Sequence, residues 1–199
     1  PDAVRQVRAL KMGFPLIVRR VGTHTGESVR LVRSDADLET VLSKPASGME
    51  LYLTAFEDCR DGKGVYRKAR AFLIDGTLYP VAFLGSDNWQ LHSGDRYRIM
   101  RDCERLQAQE RAYLSDPEDA IGKSRWNALE SLAKSTGLDF VGLDFTPLEN
   151  GGTLMFEMNP AMRHNFDHAG AFPYTEAPLK RISAAFRAML AEKQLPQTA

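Results

Sequence analysis

Hydrophobic residues recur at two periods along the chain and predict alternating helices and strands. Apolar positions three and four residues apart are typical of a helix, whereas alternation or a short apolar run is typical of a strand. The predicted helices are 2–12, 35–44, 98–114, 117–135 and 176–192. The predicted strands are 15–19, 28–32, 50–56, 65–74, 77–84, 138–146 and 153–159.

A polar, glycine-containing stretch at 57–64 is typical of a loop and divides the chain into two lobes. The first lobe is residues 1–57 and the second is residues 58–199. Asp75-Gly76 and Asn150-Gly151 each lie between two strand patterns and predict hairpin turns. The fold class is therefore α+β, with antiparallel strands in both lobes.

Composition limits the possible partners. The 199 residues include 26 basic and 26 acidic side chains, so we expect neither nucleic acid nor a membrane surface as a partner. Cys59 and Cys103 are too few for a disulfide framework and fit a reducing, cytoplasmic location. No apolar run approaches the roughly 20 residues needed to span a bilayer.

Two acidic residues and an amide are predicted to share one face of the last hairpin. Side chains alternate along a strand, so Glu157 and Asn159 point to the same side. With the turn at Asn150-Gly151, Asp144 lies opposite or diagonal to Glu157 on that side. Such oxygens are ligands that Mg²⁺ accepts. A polar face exposed to solvent explains the pattern equally well.

A glycine-containing loop follows a basic strand end in the first lobe. Its backbone amides can hold phosphate oxygens, which Arg19 can neutralise. The loop matches neither the Walker nor the Rossmann pattern, and a plain hairpin loop is the commoner structure for such a sequence. The candidate phosphate-binding residues of this loop are Gly22, Thr23, His24, Thr25, Gly26 and Ser28.

Lys68 and Arg70 alternate with alanines on the first strand of the second lobe, so both point to one side. Two cations on one face repel each other unless an anion sits between them. An anion-binding face and a solvated face are equally good interpretations.

His92 lies in a predicted loop, where it could face a phosphate or a substrate, although exposed loop histidines are commoner. The spacing of the four histidines matches no zinc motif.

The order of these segments along the chain resembles the ATP-grasp superfamily of ligases. The matching segments are Phe14-Pro15-Leu16-Ile17-Val18-Arg19, the glycine-containing loop, Leu53-Thr54-Ala55-Phe56-Glu57, Arg70-Ala71-Phe72-Leu73-Ile74-Asp75-Gly76, and Asp144 with Glu157-Met158-Asn159. The chain is similar to the two C-terminal subdomains of D-alanine–D-alanine ligase and glutathione-synthetase-like enzymes. The resemblance implies an ATP-grasp fold, with ATP between two α+β lobes.

The resemblance also implies roles for the candidate residues. Arg70 and His92 are the predicted catalytic residues. The predicted Mg²⁺ ligands are Asp144, Glu157 and Asn159. The predicted ATP-binding residues are Arg19, Lys68, the loop residues named above, and Thr54, Ala55, Phe56 and Glu57 at the adenine hinge.

In this family the terminal phosphate of ATP passes to a carboxylate, and an amine attacks the acyl phosphate. The resemblance thus implies a small-molecule or peptide carboxylate, an amine, and release of ADP and phosphate. The chain begins at Pro1 without a methionine, and we expect a preceding N-terminal domain in a longer parent protein. The alternatives are a phosphotransferase that acts on a hydroxyl and a non-catalytic nucleotide-binding module.

Overall fold

The computed structural model describes residues 2–22, 28–43, 50–164 and 167–193. The chain divides into two compact units, Pro1–Asp58 and Cys59–Ala199. Each unit contains one antiparallel sheet together with helices, which confirms the α+β class. Among the described residues, no helix has the length and apolar character required to cross a membrane.

The first unit is a three-stranded sheet with two helices. Its elements are α1 (Asp2–Ala9), β1 (Leu16–Arg20), β2 (Arg30–Val32), α2 (Asp35–Leu42) and β3 (Leu51–Ala55). The strand order is β2-β1-β3, and both pairings are antiparallel. Ser34 caps α2, because its Oγ accepts a hydrogen bond from the backbone N–H of Asp37 at 3.1 Å. Val18 and Leu38 are buried in the core of this unit.

The second unit is a four-stranded antiparallel sheet of order β5-β4-β6-β7. Its strands are β4 (Tyr66–Ile74), β5 (Thr77–Ser86), β6 (Phe140–Pro147) and β7 (Thr153–Asn159). Its α-helices are α3 (Glu104–Ser115), α4 (Pro117–Ile121), α5 (Lys123–Lys134) and α6 (Glu176–Glu192). A π-helical turn at Arg96–Met100 and a 3₁₀ turn at Pro173–Thr175 complete it.

Two of the predicted helices are interrupted. The prediction of one helix over 98–114 is wrong, because a π-helical turn ends at Met100 and α3 begins only at Glu104. The prediction of one helix over 117–135 is also wrong. Gly122 has a φ of 92°, outside the helical range, and separates α4 from α5. Glycine reaches such a conformation at little cost, so this residue was the local signal for the break.

The sheet of the second unit has two different faces. Odd-numbered residues of β4 such as Ala71 and Leu73 belong to a core that also contains Tyr113 of α3. Even-numbered residues point to the other side, which we call the second face. Phe72 and Ile74 pack there under α6. The apolar part of the second face is therefore covered by the last helix.

A close approach fixes the chain that follows β7. A Cβ atom on Gly142 of β6 would lie 2.5 Å from both Cβ and Sδ of Met162. The backbone N–H of Met162 also donates to the carbonyl of Asn159 at 3.3 Å. Met162 thus packs directly on the strand backbone, two residues along β6 from Asp144.

We predict that Gly142→Ala lowers the free energy of unfolding by about 1–3 kcal/mol, because the added methyl group overpacks the contact with Met162. Urea denaturation measures the change. Gly94→Ala is the matched control: a Cβ at Gly94 meets nothing within 4 Å, so we expect a change below about 1 kcal/mol. Adding Met162→Ala should recover part of the loss in Gly142→Ala. Equal effects of the two glycine substitutions would contradict this packing.

Candidate active site

The second face becomes polar towards the start of β4, where two cations hold one carboxylate. Arg70 pairs with Asp144 across β4 and β6. Arg70 Nε donates to Asp144 Oδ1 at 2.6 Å, and Arg70 Nη2 donates to Oδ2 at 2.8 Å. Lys68 Nζ lies 3.3 Å from the same Oδ2. The anion between the two cations is therefore a side chain of the protein itself.

The Asp144 carboxylate is buried, with 5% of its side chain exposed. Burial tends to raise the pKa of Asp144. The hydrogen bonds from Arg70 and the charge of Lys68 outweigh burial and hold that pKa below its usual range. Asp144 is therefore ionised at neutral pH. The sequence also allows a polar face that is open to solvent. The buried side chain of Asp144 does not fit that alternative.

Two further oxygen-bearing side chains lie on the same face. Asp144 pairs directly with Glu157 across β6 and β7, and Asn159 pairs with Gly142. Asn159 Nδ2 donates to Glu157 Oε1 at 3.0 Å, and its Oδ1 accepts from the N–H of Ala161 at 2.8 Å. Glu157 is exposed. The amide of Asn159 thus links Glu157 to the turn that follows β7.

The donors on this face suit a hard divalent cation. In the described ranges, no three His, Cys, Asp or Glu side chains form a metal-binding cluster. A site here would combine two carboxylates with other oxygen donors, of which the amide oxygen of Asn159 is one. Glu157 Oε2 is not used in the hydrogen bond with Asn159, and a carbonyl oxygen has a second lone pair. Both oxygens of Asp144 are engaged by Arg70. The oxygen donors of Asp144, Glu157 and Asn159 fit Mg²⁺ by their chemistry if Lys68 and Arg70 release Asp144. That these three residues bind a metal stays a prediction.

The predicted phosphate-binding residues of the first unit are only partly described. Arg19 lies on β1 and is exposed. Gly22, in the turn after β1, has a φ of 77°. Ser28 Oγ accepts the backbone N–H of Arg20 at 3.3 Å and so ties the returning chain to β1. The other predicted loop residues lie outside the described residues: Thr23, His24, Thr25 and Gly26.

The predicted adenine hinge lies at the end of β3. Thr54 and Ala55 are its last two residues, and both are exposed. The N–H of Phe56 donates to the carbonyl of Pro15 at 3.0 Å, and this hydrogen bond continues the pairing with β1. Glu57 follows and is exposed. The geometry assigns no ligand to this segment, and its role stays a prediction.

His92 is exposed in the loop between β5 and the π-helical turn. Its backbone N–H donates to Asp95 Oδ2 at 2.8 Å. Within the part of the chain that the structure describes, no hydrogen bond or ion pair joins its ring to Arg70 or Asp144. The structure therefore places His92 in a loop but does not connect it to the polar face.

A buried polar cluster surrounds Glu110, and no sequence pattern predicts it. Arg96 donates two hydrogen bonds to the Glu110 carboxylate. The Tyr174 hydroxyl donates to Glu110 Oε2 at 2.8 Å, and the N–H of Phe83 donates to Oε1 at 3.0 Å. This cluster joins the π-helical turn, α3, β5 and the segment before α6. Its members are far apart in the sequence, so no local pattern reveals it.

Comparison with known proteins gives structural matches only. No protein-family profile and no curated protein sequence matches the chain. It resembles the biotin carboxylase domain of Hydrogenobacter thermophilus 2-oxoglutarate carboxylase in complex with MgADP, ADP and bicarbonate, at 16% identity and a TM-score of 0.48. It also resembles the ATP-grasp ligase PsnB complexed with precursor peptide PsnA2 and AMPPNP, at 16% identity and a TM-score of 0.42. A third match is D-alanine–D-alanine ligase from Helicobacter pylori, at 13% identity and a TM-score of 0.46.

These matches cover 98%, 91% and 100% of this chain, and 40%, 49% and 51% of the three matched chains, respectively. The chain therefore spans about half, or less, of the length of the structures that it resembles.

We predict that Asp144→Asn lowers the free energy of unfolding by about 2 kcal/mol at pH 7, because two cations then face a neutral amide in a buried position. The pKa of Asp144 is depressed in the folded state, so its contribution is fully present above the unfolded pKa of about 3.9. The contribution is lost as the pH falls through the lower folded pKa. Urea denaturation at pH 7 and below about pH 4 tests this.

The control for this prediction is Glu157→Gln on the same face. Glu157 is exposed, so its substitution should change the free energy of unfolding by less than about 0.5 kcal/mol. A difference between wild type and Asp144→Asn that does not vary with pH would show that the charge of Asp144 is not what stabilises the fold.

Proposed function

We propose that this chain is the ATP-binding part of an ATP- and Mg²⁺-dependent ATP-grasp ligase that joins a carboxylate to an amine and releases ADP and phosphate. The proposal is supported by the order of five motifs along the chain, from Arg19 to Asn159. The antiparallel α+β architecture of both units agrees with it.

The observation that carries the proposal is the charge arrangement on the second face. Asp144 and Glu157 pair across adjacent strands, while Lys68 and Arg70 lie beside Asp144. Phosphoryl transfer needs mainly alignment and neutralisation of charge. This face combines hard oxygen donors for a metal with two cations for phosphate oxygens.

Each residue of the face has a role in this proposal. Asp144, Glu157 and Asn159 would hold Mg²⁺, which would neutralise charge and orient the phosphates. Arg70 and Lys68, which now hold Asp144, turn to the terminal phosphate. The planar guanidinium of Arg70 suits two phosphate oxygens at once, whereas Lys68 acts as a point charge. The Asn159 amide keeps Glu157 oriented.

The reaction balances without a side-chain nucleophile. An oxygen of the substrate carboxylate attacks the terminal phosphorus, the bond to the bridging oxygen breaks, and ADP leaves. The amine nitrogen then attacks the acyl carbon, the amine loses a proton, and phosphate leaves. The chain contributes positive charge and positioning to both steps, and the second step requires that water be kept from the acyl phosphate.

The proposal is tested by titrating ATP in the presence and absence of Mg²⁺, followed by an ADP-release screen with carboxylic acids, amines and alcohols. We predict that Glu157→Gln weakens Mg²⁺-dependent ATP binding at least tenfold and leaves the melting temperature within a few degrees, because an exposed metal ligand is lost. Glu118→Gln, at a partly exposed position on α4, is the control and should bind ATP like wild type.

The outcomes of the screen separate the possible functions. ADP release that needs an acid and an amine supports the ligase, whereas release that needs an alcohol indicates a phosphotransferase. ATP binding without turnover indicates a non-catalytic module. Equal ATP affinity with and without Mg²⁺ would overturn the metal assignment.

We also predict that Arg19→Ala raises the apparent KM for ATP about tenfold, since a charge-assisted hydrogen bond to phosphate is lost. Steady-state kinetics with ATP varied measures the effect. Arg5→Ala removes an exposed cation from α1 of the same unit and should leave KM unchanged. If both variants behave alike, Arg19 does not belong to the ATP site.

A further inference from the structure

A separate cavity lies between the second face and α6. Its volume is about 320 Å³, at the small end of the range for sites that bind small molecules. Phe72, Phe140 and Met162 line its sheet side, and Phe186 lines its helix side. None of the proposed ATP or metal residues lines it, so the cavity is independent of the nucleotide proposal.

Three of the six apolar residues that line the cavity are phenylalanines, and the other three are Ile74, Ile182 and Met162. The Phe72 and Phe140 rings lie 5.3 Å apart, and the Phe140 and Phe186 rings meet edge to face at 5.1 Å. The His164 ring meets Phe72 edge to face at 5.7 Å. Ring faces and edges at such angles offer favourable contacts to another aromatic ring. The walls therefore favour an aromatic body over a polar one.

Ser183 supplies one polar group to the cavity. His164 Nε2 lies 3.1 Å from the carbonyl oxygen of Leu179, which can only accept, so Nε2 carries the proton. Ser183 Oγ, also 3.1 Å from Nε2, must then act as an acceptor. Its hydroxyl proton is left to donate to a ligand.

Arg187 supplies the charge, one helical turn after Ser183 on α6. Among the described residues it forms no ion pair, and no acidic side chain lines the cavity. Burial lowers the pKa of His164, so that ring is neutral at pH 7. The cavity thus presents one positive charge and a hydroxyl donor beside aromatic walls.

We propose that this cavity binds a small aromatic carboxylate. Its ring contacts the partly exposed rings of Phe140 and Phe186, and its carboxylate accepts hydrogen bonds from Arg187 and the Ser183 hydroxyl. An anion suits the site because Arg187 gains a partner without displacing one. A carboxylate also matches the planar guanidinium with two oxygens.

The test uses 3-phenylpropionate as the probe and the uncharged 3-phenylpropanamide as its comparison, titrated into the full chain by calorimetry. We predict that the acid binds at least fivefold more tightly than the amide, because only the acid pairs with Arg187. Equal affinities, or no binding of the acid at millimolar concentration, would overturn the proposal.

Variants locate the probe. Arg187→Gln should weaken binding of 3-phenylpropionate at least fivefold, and Ser183→Ala about two- to fivefold. Arg181→Gln is the matched control, because Arg181 lies on the same helix, is exposed and does not line this cavity. Arg187 is exposed, so its loss should not unfold the chain. Equal effects of Arg181→Gln and Arg187→Gln would mean that the acid binds by general charge attraction.

Discussion

The pairing of Asp144 with Arg70 and Lys68 is the constraint on which the second unit depends. A buried carboxylate is tolerated only when it is paired and hydrogen-bonded, and Arg70 meets both of its oxygens. Without the Asp144 carboxylate, Lys68 and Arg70 would be two unpaired positive charges beside an apolar sheet face. The second face is consequently divided into a polar part on one side of Arg70 and an apolar part from Phe72 onwards, which α6 covers.

On the second face, β6 provides both a close packing contact and a charged residue. Gly142 lacks the Cβ atom that would exclude Met162. Asp144, two residues further along β6, carries the negative charge that Arg70 and Lys68 pair with. Met162 thereby anchors the chain after β7, while Asn159 closes the turn that begins there. The position of the Glu157 side chain thus depends on a turn that an apolar contact holds in place.

The local parts of this arrangement could be predicted from the sequence, and the long-range parts could not. Asp75-Gly76 and Asn150-Gly151 place both hairpins, and the second hairpin sets Glu157 opposite Asp144. The pairing of Arg70 with Asp144 joins residues 74 positions apart, so no local pattern reveals that Asp144 is buried. Likewise, the apolar stripe of α6 predicts a buried helix but does not identify the aromatic rings that it meets.

Electroneutrality bears on the proposed binding of a metal and a phosphate at this face. Lys68 and Arg70 balance Asp144 and Glu157, so the described face carries no net charge. A divalent cation alone would compete with two resident cations for Asp144, and a polyphosphate alone would meet two carboxylates. Under the proposed function, the cation would take the carboxylates and the phosphate would take Lys68 and Arg70, so every charge would keep a partner. The salt bridges from Lys68 and Arg70 keep the buried charge of Asp144 paired.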